Sequence, residues 1–259
     1  MTGMDKASRK PRSRTRRTLK RVGIAVAIVV VLAVAGLLVW ANVGVMQAEA
    51  QPLDSVLDNS QISVTDTADA IILQPTGNDS GIGLVFIPGA KVDAQAYLNK
   101  LSGVVQESSV TVVITKPILN LAFFDQRPLT TFTDHAPSVT SWYVGGHSLG
   151  GVRACQYAAQ PDVAGLILFG SYCANDLSDS DIKVLSITAS NDGLSTPQKV
   201  ADAASLLPAD TVNDQIAGAN HASFGDYGVQ AGDGESTVSS ATVRLQLTDE
   251  IGVFLGLDD

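Results

Sequence analysis

Apolar runs of strand length recur along residues 61–259 and constrain the fold more than any other feature of the sequence. The clearest are IGLVFI (82–87), SVTVVIT (109–115), SWYVGG (141–146), VAGLILFG (163–170) and KVLSITAS (183–190). Strands that are apolar on both faces are typical of a parallel sheet covered by helices on each side. The sequence therefore predicts an α/β fold.

Helical patterns and weaker strands occupy the intervals between these runs. QISVTDT and AIILQPT predict a leading hairpin, and residues 211–217 a further strand. Helices are expected over 94–106 after an Asp93 cap, over 152–160, across 197–207 and within 238–256. Right-handed crossovers place the carboxyl ends of the parallel strands along one edge of the sheet, where reactive groups gather.

A run of twenty uncharged residues, 22–41, precedes this domain. As a helix it would be about 30 Å long, the thickness of a bilayer's hydrocarbon core. Residues 1–21 hold nine Lys/Arg and one Asp, a net charge of +8, whereas the whole chain carries −9. The positive-inside rule predicts a basic cytoplasmic tail (1–21), a transmembrane signal-anchor helix (22–42), a stalk or linker (43–60) and an extracytoplasmic domain (61–259). The expected location is the cell membrane, with a single pass.

Other interpretations of the N-terminus remain open. The sequence AEA at 48–50 resembles the cleavage site of a secretory signal, although the apolar run is longer than such signals usually are. A buried core helix is disfavoured by the adjoining basic block. We expect the basic tail to contact anionic lipid headgroups and not nucleic acid.

The two cysteines, Cys155 and Cys173, both fall in the part of the chain that is predicted to be exported. A disulfide is permitted there, and so is burial of two free thiols, and the sequence does not choose between them. No C-x-x-C spacing is present, and we expect neither a metal nor a cofactor.

The segment GGHSLGG (145–151) contains the pattern G-x-S-x-G, which alone is weak evidence. Here it lies between a predicted strand and a predicted helix, as a nucleophile elbow requires. Gly146 and Gly150 would let the strand and the helix approach closely, and the positive end of the helix would stabilise a developing oxyanion. The context predicts that Ser148 is a nucleophile.

A serine hydroxyl needs a neighbouring general base, and the chain has three histidines. His135 lies in a predicted surface loop, TDHAPS. His147 should point away from Ser148 and pack within the elbow. His221, in AGANHASFGDYG, follows the last predicted strand at the same edge as Ser148. By elimination, His221 is the predicted base.

The imidazole requires a carboxylate that sets its tautomer. Asp192 lies just beyond the strand KVLSITAS, at the same edge, whereas the acids of the preceding loop NDLSDSD are expected to be solvated charges or caps. The order Ser148, Asp192, His221 suits a triad on such a sheet. A polar loop after the base (Asp226, Tyr227, Gln230, Asp233) either lines the site or buttresses it, and a buttress is the favoured interpretation.

The oxyanion hole is predicted to use two backbone amides. One is that of Leu149, which follows the nucleophile. The other is that of Ala90, in the turn after the strand IGLVFI, where Gly89 allows the bend. Lys91 is a possible substrate contact at the mouth, although an exposed loop lysine is an equal alternative.

Together these segments resemble the α/β-hydrolase superfamily, and within it the dienelactone-hydrolase-like group often labelled alpha/beta hydrolase fold-5. The similarity covers residues 60–257. It is carried by FIPGAKVDAQAYLNKL, GGHSLGGVRACQYA, GLILFGSYCANDLS, ITASNDGL and GANHASFGDYGVQAGDG. The resemblance implies an eight-stranded, mostly parallel sheet. It assigns the nucleophile, acid and base to Ser148, Asp192 and His221, and the oxyanion amides to Ala90 and Leu149.

Two departures limit what the resemblance implies. Pro88-Gly89 stands where many hydrolases have His-Gly, and the nucleophile is serine where dienelactone hydrolases use cysteine. The dienelactone substrate is therefore not carried over. The short segment between the strands at 163–170 and 183–190 leaves no room for a large cap domain, which favours a small or surface-presented ester.

These features predict a membrane-anchored serine hydrolase of carboxylic esters that works through an acyl-enzyme. Two alternatives remain open: an acyltransferase with the same triad, and a catalytically silent binding module of the cell envelope. The sequence does not indicate the oligomeric state.

Overall fold

The computed structural model describes residues 12–257, and contacts divide the chain into two units, residues 1–43 and 44–259. The first unit contains one helix, α1 (Arg12–Asn42), whose portion Arg16–Asn42 is long and apolar enough, by length and composition, to cross a membrane. This helix begins ten residues before the predicted span, because lysine and arginine are good helix formers. The first eleven residues of the predicted basic tail lie outside the described residues.

The second unit contains a sheet of eight strands. They are β1 (Ile62–Asp66), β2 (Ala70–Pro75), β3 (Ile82–Ile87), β4 (Thr111–Thr115), β5 (Ser141–His147), β6 (Val163–Phe169), β7 (Lys183–Ala189) and β8 (Val212–Ile216). The helices are α2 (Ala50–Leu57), α3 (Leu98–Glu107), α4 (Thr130–Thr133), α5 (Leu149–Ala158), α6 (Pro197–Asp202) and α7 (Ser240–Leu255). Short 3₁₀ turns lie at Ala94–Tyr97, Ile118–Asn120, Ala122–Phe124, Ala204–Leu206 and His221–Phe224.

The strand order is β1-β2-β4-β3-β5-β6-β7-β8. Strands β1 and β2 form the predicted hairpin, and β2 pairs with β4 in the antiparallel sense. All other pairs are parallel, so β3 to β8 end at one edge of the sheet. The predicted eight-stranded, mostly parallel α/β architecture is confirmed.

Two apolar clusters cover the two faces of the sheet, as strands that are apolar throughout require. Along β3, Phe86 joins one cluster with Leu101 of α3, and Val85 joins the other with Ala154 of α5. Helix α3 also packs against α7 so closely that a Cβ at Gly103 would overlap the Thr248 side chain. The sheet is therefore held between helical layers, and only its edges and end loops remain for a site.

Most of the predicted stalk or linker, 43–60, belongs to the second unit. Helix α2 lies within 43–60, and its Val56 is 2% exposed in the domain core. Met46 bridges to Val92, and the amide of Glu49 donates to the carbonyl of Asp226 at 2.8 Å. Polar composition suggested a linker, but apolar residues at helical spacing allow this segment to bury one side against the domain.

Three further comparisons with the predicted elements can be made. Cys155 in α5 and Cys173 in the loop after β6 form a disulfide with a Cα–Cα distance of 5.5 Å, which settles the pairing that the sequence left open. Residues 170–182, between β6 and β7, contain no helix, so this connection holds no cap. The predicted helix across 197–207 divides into α6 and the 3₁₀ turn at Ala204–Leu206.

Candidate active site

Ser148 occupies the turn between β5 and α5, with φ 53° and ψ −124°. Such a backbone conformation is costly for a residue other than glycine, by about 1–3 kcal/mol, and it persists only where the surroundings impose it. A Cβ at Gly150 would overlap the carbonyl of Ile87, and one at Gly146 would overlap the backbone of Gly150. The turn is therefore the sharp strand-to-helix elbow that the sequence predicts, and Ser148 is half-buried at its apex.

His221 is the first residue of the 3₁₀ turn that follows β8, and the side chain is only 1% exposed. Asn220 caps this turn: its side chain accepts from the amide of Ser223 while the Ser223 hydroxyl accepts from the amide of Asn220. Nδ1 of His221 lies 2.7 Å from Oδ2 of Asp192. With Nδ1–H donating to this carboxylate, Nε2 is left as the proton acceptor.

Asp192 follows β7 and is 4% exposed. Its two carboxylate oxygens have separate partners: Oδ1 accepts from the amides of Leu194 and Ser195, at 2.8 and 2.7 Å, and Oδ2 faces His221. Backbone amides thus hold one oxygen in place and leave the other to orient the imidazole. This is the arrangement that an acid in a relay requires.

Ser148 and His221 both lie at the edge where the parallel strands end. Among the described residues, however, no hydrogen bond joins the Ser148 hydroxyl to the His221 ring. The structure therefore brings His221 and Asp192 together and sets Ser148 on the elbow without a hydrogen bond to the His221 ring.

The two predicted oxyanion amides lie just after the carboxyl ends of β5 and β3. Leu149 is the first residue of α5, and Ala90 lies in the turn after β3. Within residues 12–257, neither amide has a hydrogen-bond partner, whereas the adjacent amide of Gly89 donates to the Tyr97 hydroxyl at 2.9 Å. The Lys91 backbone, with φ 56°, donates to the carbonyl of Asn120 at 2.8 Å. A substrate contact by the Lys91 side chain stays a prediction.

His147 makes contacts that the sequence did not predict. It is buried as expected, but its ring centroid is 4.3 Å from that of His221, and its Nδ1 is 2.9 Å from the Tyr97 hydroxyl oxygen. Burial, followed by the unfavourable electrostatic interaction with neighbouring His221, lowers the pKa of His147 well below its usual value. Strand alternation could not reveal this contact, because the loop that carries His221 reaches the end of β5 from 74 residues further along the chain. His135, by contrast, lies 3.1 Å from Asp69, in the turn between β1 and β2.

Asp233 connects the loop that carries Asp192 to the loop that carries His221, because its carboxylate accepts hydrogen bonds from backbone amides of both. Its Oδ1 accepts from Gly193 at 3.0 Å and from His221 at 3.1 Å, and its Oδ2 accepts from Ala222 at 2.8 Å. Gly193 packs so closely on the turn at 232–234 that a Cβ there would meet the backbone of Gly234 at 2.8 Å. The sequence indicated a buttress in this loop but not which amides it holds.

A buried ion pair links helix α3 to the loop that follows His221. Nζ of Lys100, on α3, lies 2.8 Å from Oδ1 of Asp226, and both side chains are almost fully buried. Desolvation lowers the pKa of Lys100, and the Asp226 carboxylate opposes this shift. The Ser240 hydroxyl and the Asn99 amide also donate to Asp226, so the charge pair is enclosed by hydrogen bonds.

The residues of the site include no obvious cation cage. Across residues 12–257, no three or more His, Cys, Asp or Glu side chains are grouped so that they could hold a metal ion. The groups available at this edge are a hydroxyl, an imidazole, a carboxylate and the backbone amides of Leu149 and Ala90.

The sheet, the elbow and the His–Asp pair define an α/β hydrolase. The sequence profile described as "Alpha/beta hydrolase family" matches residues 83–245, which is more than half of the chain. The chain belongs to this family of hydrolases. A search of curated proteins found no match.

Solved structures share the fold at low sequence identity. Est1E from Butyrivibrio proteoclasticus is 10% identical with a TM-score of 0.53, covering 76% of this chain and 100% of that one. Carboxyl esterase 2 from the mycorrhizal fungus Tuber melanosporum is 12% identical with a TM-score of 0.53, covering 83% and 92%. A putative α/β hydrolase from Agrobacterium tumefaciens is 14% identical with a TM-score of 0.52, covering 75% and 96%. At these identities the likeness concerns the fold alone.

Proposed function

We propose that the protein is a membrane-anchored serine hydrolase that cleaves carboxylic esters with Ser148, His221 and Asp192. The observation that carries the proposal is the 2.7 Å contact between Nδ1 of His221 and the buried Asp192 carboxylate, at the edge where the strained Ser148 elbow lies. A buried carboxylate that fixes an imidazole tautomer beside a nucleophile elbow is suited to general-base catalysis.

The reaction follows from the position of each group. Nε2 of His221 takes the Ser148 proton while Oγ forms a bond to the ester carbonyl carbon. The amides of Leu149 and Ala90 donate to the resulting oxyanion. The imidazolium returns the proton to the alcohol oxygen as its bond to carbon breaks, which leaves an acyl-enzyme. Water, deprotonated in the same way by His221, then attacks the acyl-enzyme and releases the acid and free Ser148.

The missing contact between Ser148 and His221 is compatible with this scheme. Catalytic hydrogen bonds are often long or poorly aligned before substrate binds, and they tighten in the complex. A rotation of the Ser148 side chain about a single bond changes the hydroxyl direction without moving the elbow. The unpartnered amides of Leu149 and Ala90 also favour a site that is completed by a substrate oxygen.

Membrane anchoring is the second part of the proposal. Helix α1 has the length and composition of a single span, and basic residues occupy its N-terminal portion. Because cytoplasmic flanks carry the excess of Lys and Arg, we place the N-terminus in the cytoplasm and the hydrolase unit outside. The name of the Tuber melanosporum structure, a carboxyl esterase, makes esters the first substrates to test.

A fluorophosphonate probe applied to intact cells tests the chemistry. We expect labelling of the wild type, loss of labelling in Ser148→Ala, and normal labelling in Ser205→Ala, a variant at an exposed serine. Added alcohols that divert the acyl group from water would identify an acyltransferase. A folded wild-type protein that does not label would overturn the proposal and favour a binding role.

The topology has its own test. A protease added outside whole cells should digest the hydrolase unit and spare a tag fused at residue 1. Protection of both ends would contradict the proposed orientation.

A further inference from the structure

We propose that an apolar loop after β4 receives the acyl chain of the ester, so that the preferred substrates are esters of linear, apolar carboxylic acids. This inference rests on the proposed hydrolase function. The loop presents five apolar side chains, which we call the acyl wall: Ile118, Leu119, Leu121, Phe123 and Phe124.

Three members of the acyl wall are well exposed. Phe123 is 71% exposed, Ile118 46% and Phe124 41%. Single exposed apolar residues are common on protein surfaces, but a contiguous group that includes two aromatic rings marks a binding surface. The rings of Phe123 and Phe124 also contact each other edge to face, with centroids 5.5 Å apart.

The backbone holds these side chains outward at a conformational cost. Leu119 and Asn120 have φ values of 59° and 56°, in the left-handed region that residues other than glycine rarely enter. The amide of Asn120 donates to the carbonyl of Pro117 at 2.9 Å, and that of Phe124 to Leu121 at 3.0 Å. A loop with this many apolar residues would ordinarily bury them, and here Ile118, Phe123 and Phe124 stay exposed on two consecutive 3₁₀ turns.

The acyl wall is joined to both elements that carry the predicted oxyanion amides. The carbonyl of Asn120 accepts from the amide of Lys91 at 2.8 Å, one residue after Ala90. Ala122 is buried in the same apolar cluster as Ala154 of α5, the helix that begins at Leu149. The loop of the acyl wall is thus tied to the turn that follows Ala90 and packs against the helix that begins at Leu149.

The order of the strands sets which part of an ester meets this wall. Asp192 and His221 follow β7 and β8, on one side of β5, whereas the acyl wall follows β4, on the other side. The leaving alcohol has to face His221, which donates a proton to it, and the carbonyl oxygen has to face the amides of Leu149 and Ala90. In the proposed arrangement the remaining substituent, the acyl chain, extends toward β4 and the acyl wall.

Hydrolysis of two p-nitrophenyl esters by the full chain in lipid nanodiscs tests the inference. Wild type should prefer the hexanoate to the acetate. In Phe123→Ser and Ile118→Asn, kcat/KM for the hexanoate should fall about tenfold while that for the acetate changes less than about twofold, because only the longer chain reaches the wall. Val253→Ser is the matched control, since Val253 is 68% exposed on α7, and it should alter neither ester.

Equal losses on both esters, or no loss on either, would overturn the acyl wall while leaving the hydrolase proposal intact. Hydrolysis that persists in Ser148→Ala would instead overturn the proposed function. In that case, saturation-transfer NMR with hexanoate tests binding to the acyl wall independently of catalysis. A signal in wild type that disappears in Phe123→Ser supports it, and equal signals, or none, overturn it.

Discussion

The Asp233 carboxylate accepts a hydrogen bond from the backbone amide of His221, at 3.1 Å, and another from the amide of Gly193, next to Asp192, at 3.0 Å. Two loops that follow different strands are thereby held at a common carboxylate. We therefore expect Asp233 to help set the distance between Asp192 and His221, as a positioning residue for the proposed triad.

Removing the Asp233 carboxylate should misplace the base. In Asp233→Ala we expect kcat for a p-nitrophenyl ester to fall by about tenfold to a hundredfold with little change in KM, because small displacements of a catalytic group carry costs of this size. Asp233→Asn, which keeps one acceptor oxygen, should show a smaller loss. Steady-state kinetics measure both.

Asp179→Ala is the matched control for this prediction, since Asp179 is exposed in the connection between β6 and β7. Its kinetics should equal those of wild type. A loss of kcat in Asp233→Ala that merely follows the fraction of unfolded protein would contradict a positioning role.

Asp192→Asn should preserve the fold and remove most of the activity. The amide can still accept from Leu194 and Ser195, but it no longer offers a carboxylate to Nδ1 of His221. The wrong imidazole tautomer is then favoured, and we expect kcat to fall by about 10⁴-fold. Asp176→Asn, in an exposed loop, should keep full activity; near-normal turnover by Asp192→Asn would remove this residue from the relay.

Tyr97→Phe should destabilise the turn that carries Ala90. The Tyr97 hydroxyl accepts from the amide of Gly89 and lies 2.9 Å from Nδ1 of His147, in a fully buried setting. Without it, a buried donor and a buried acceptor lose their partner, which costs about 1–3 kcal/mol of unfolding free energy. Denaturant unfolding measures the change. Tyr172→Phe, at a half-buried tyrosine, is the control, and equal stability of the two variants would show that the Tyr97 contacts contribute little.

His147 should make stability depend on pH. Burial and the neighbouring His221 lower its pKa below the usual 6.5, so the unfolded chain binds a proton more readily than the folded one. Its contribution is therefore present above about pH 6.5 and is lost as the pH falls toward the lowered pKa. Between about pH 8 and pH 5, wild type should lose more unfolding free energy than His147→Gln. Parallel pH profiles for the two proteins would show that His147 does not titrate in this way.

Much of the fold could be predicted from local patterns. The run IGLVFI coincides with β3 at Ile82–Ile87, and GGHSLGG lies at the junction of β5 and α5. These features depend on residues that are adjacent in the sequence. A short pattern is therefore enough to predict a buried strand, a glycine at a close approach or a serine in a sharp turn. The same locality identifies α1 as a possible membrane span.

The contacts between loops of the candidate site could not be predicted from the sequence and are seen only in the tertiary structure. The sequence placed Asp192 and His221 at one edge of the sheet, but only the folded chain sets Nδ1 of His221 against Oδ2 of Asp192, turns His147 toward His221 and seats Asp233 on amides from two loops. It also packs α2 onto the domain and pairs Cys155 with Cys173. Patterns along a chain record which residues prefer burial, whereas the loop that covers a given strand end is decided by packing between segments distant in sequence.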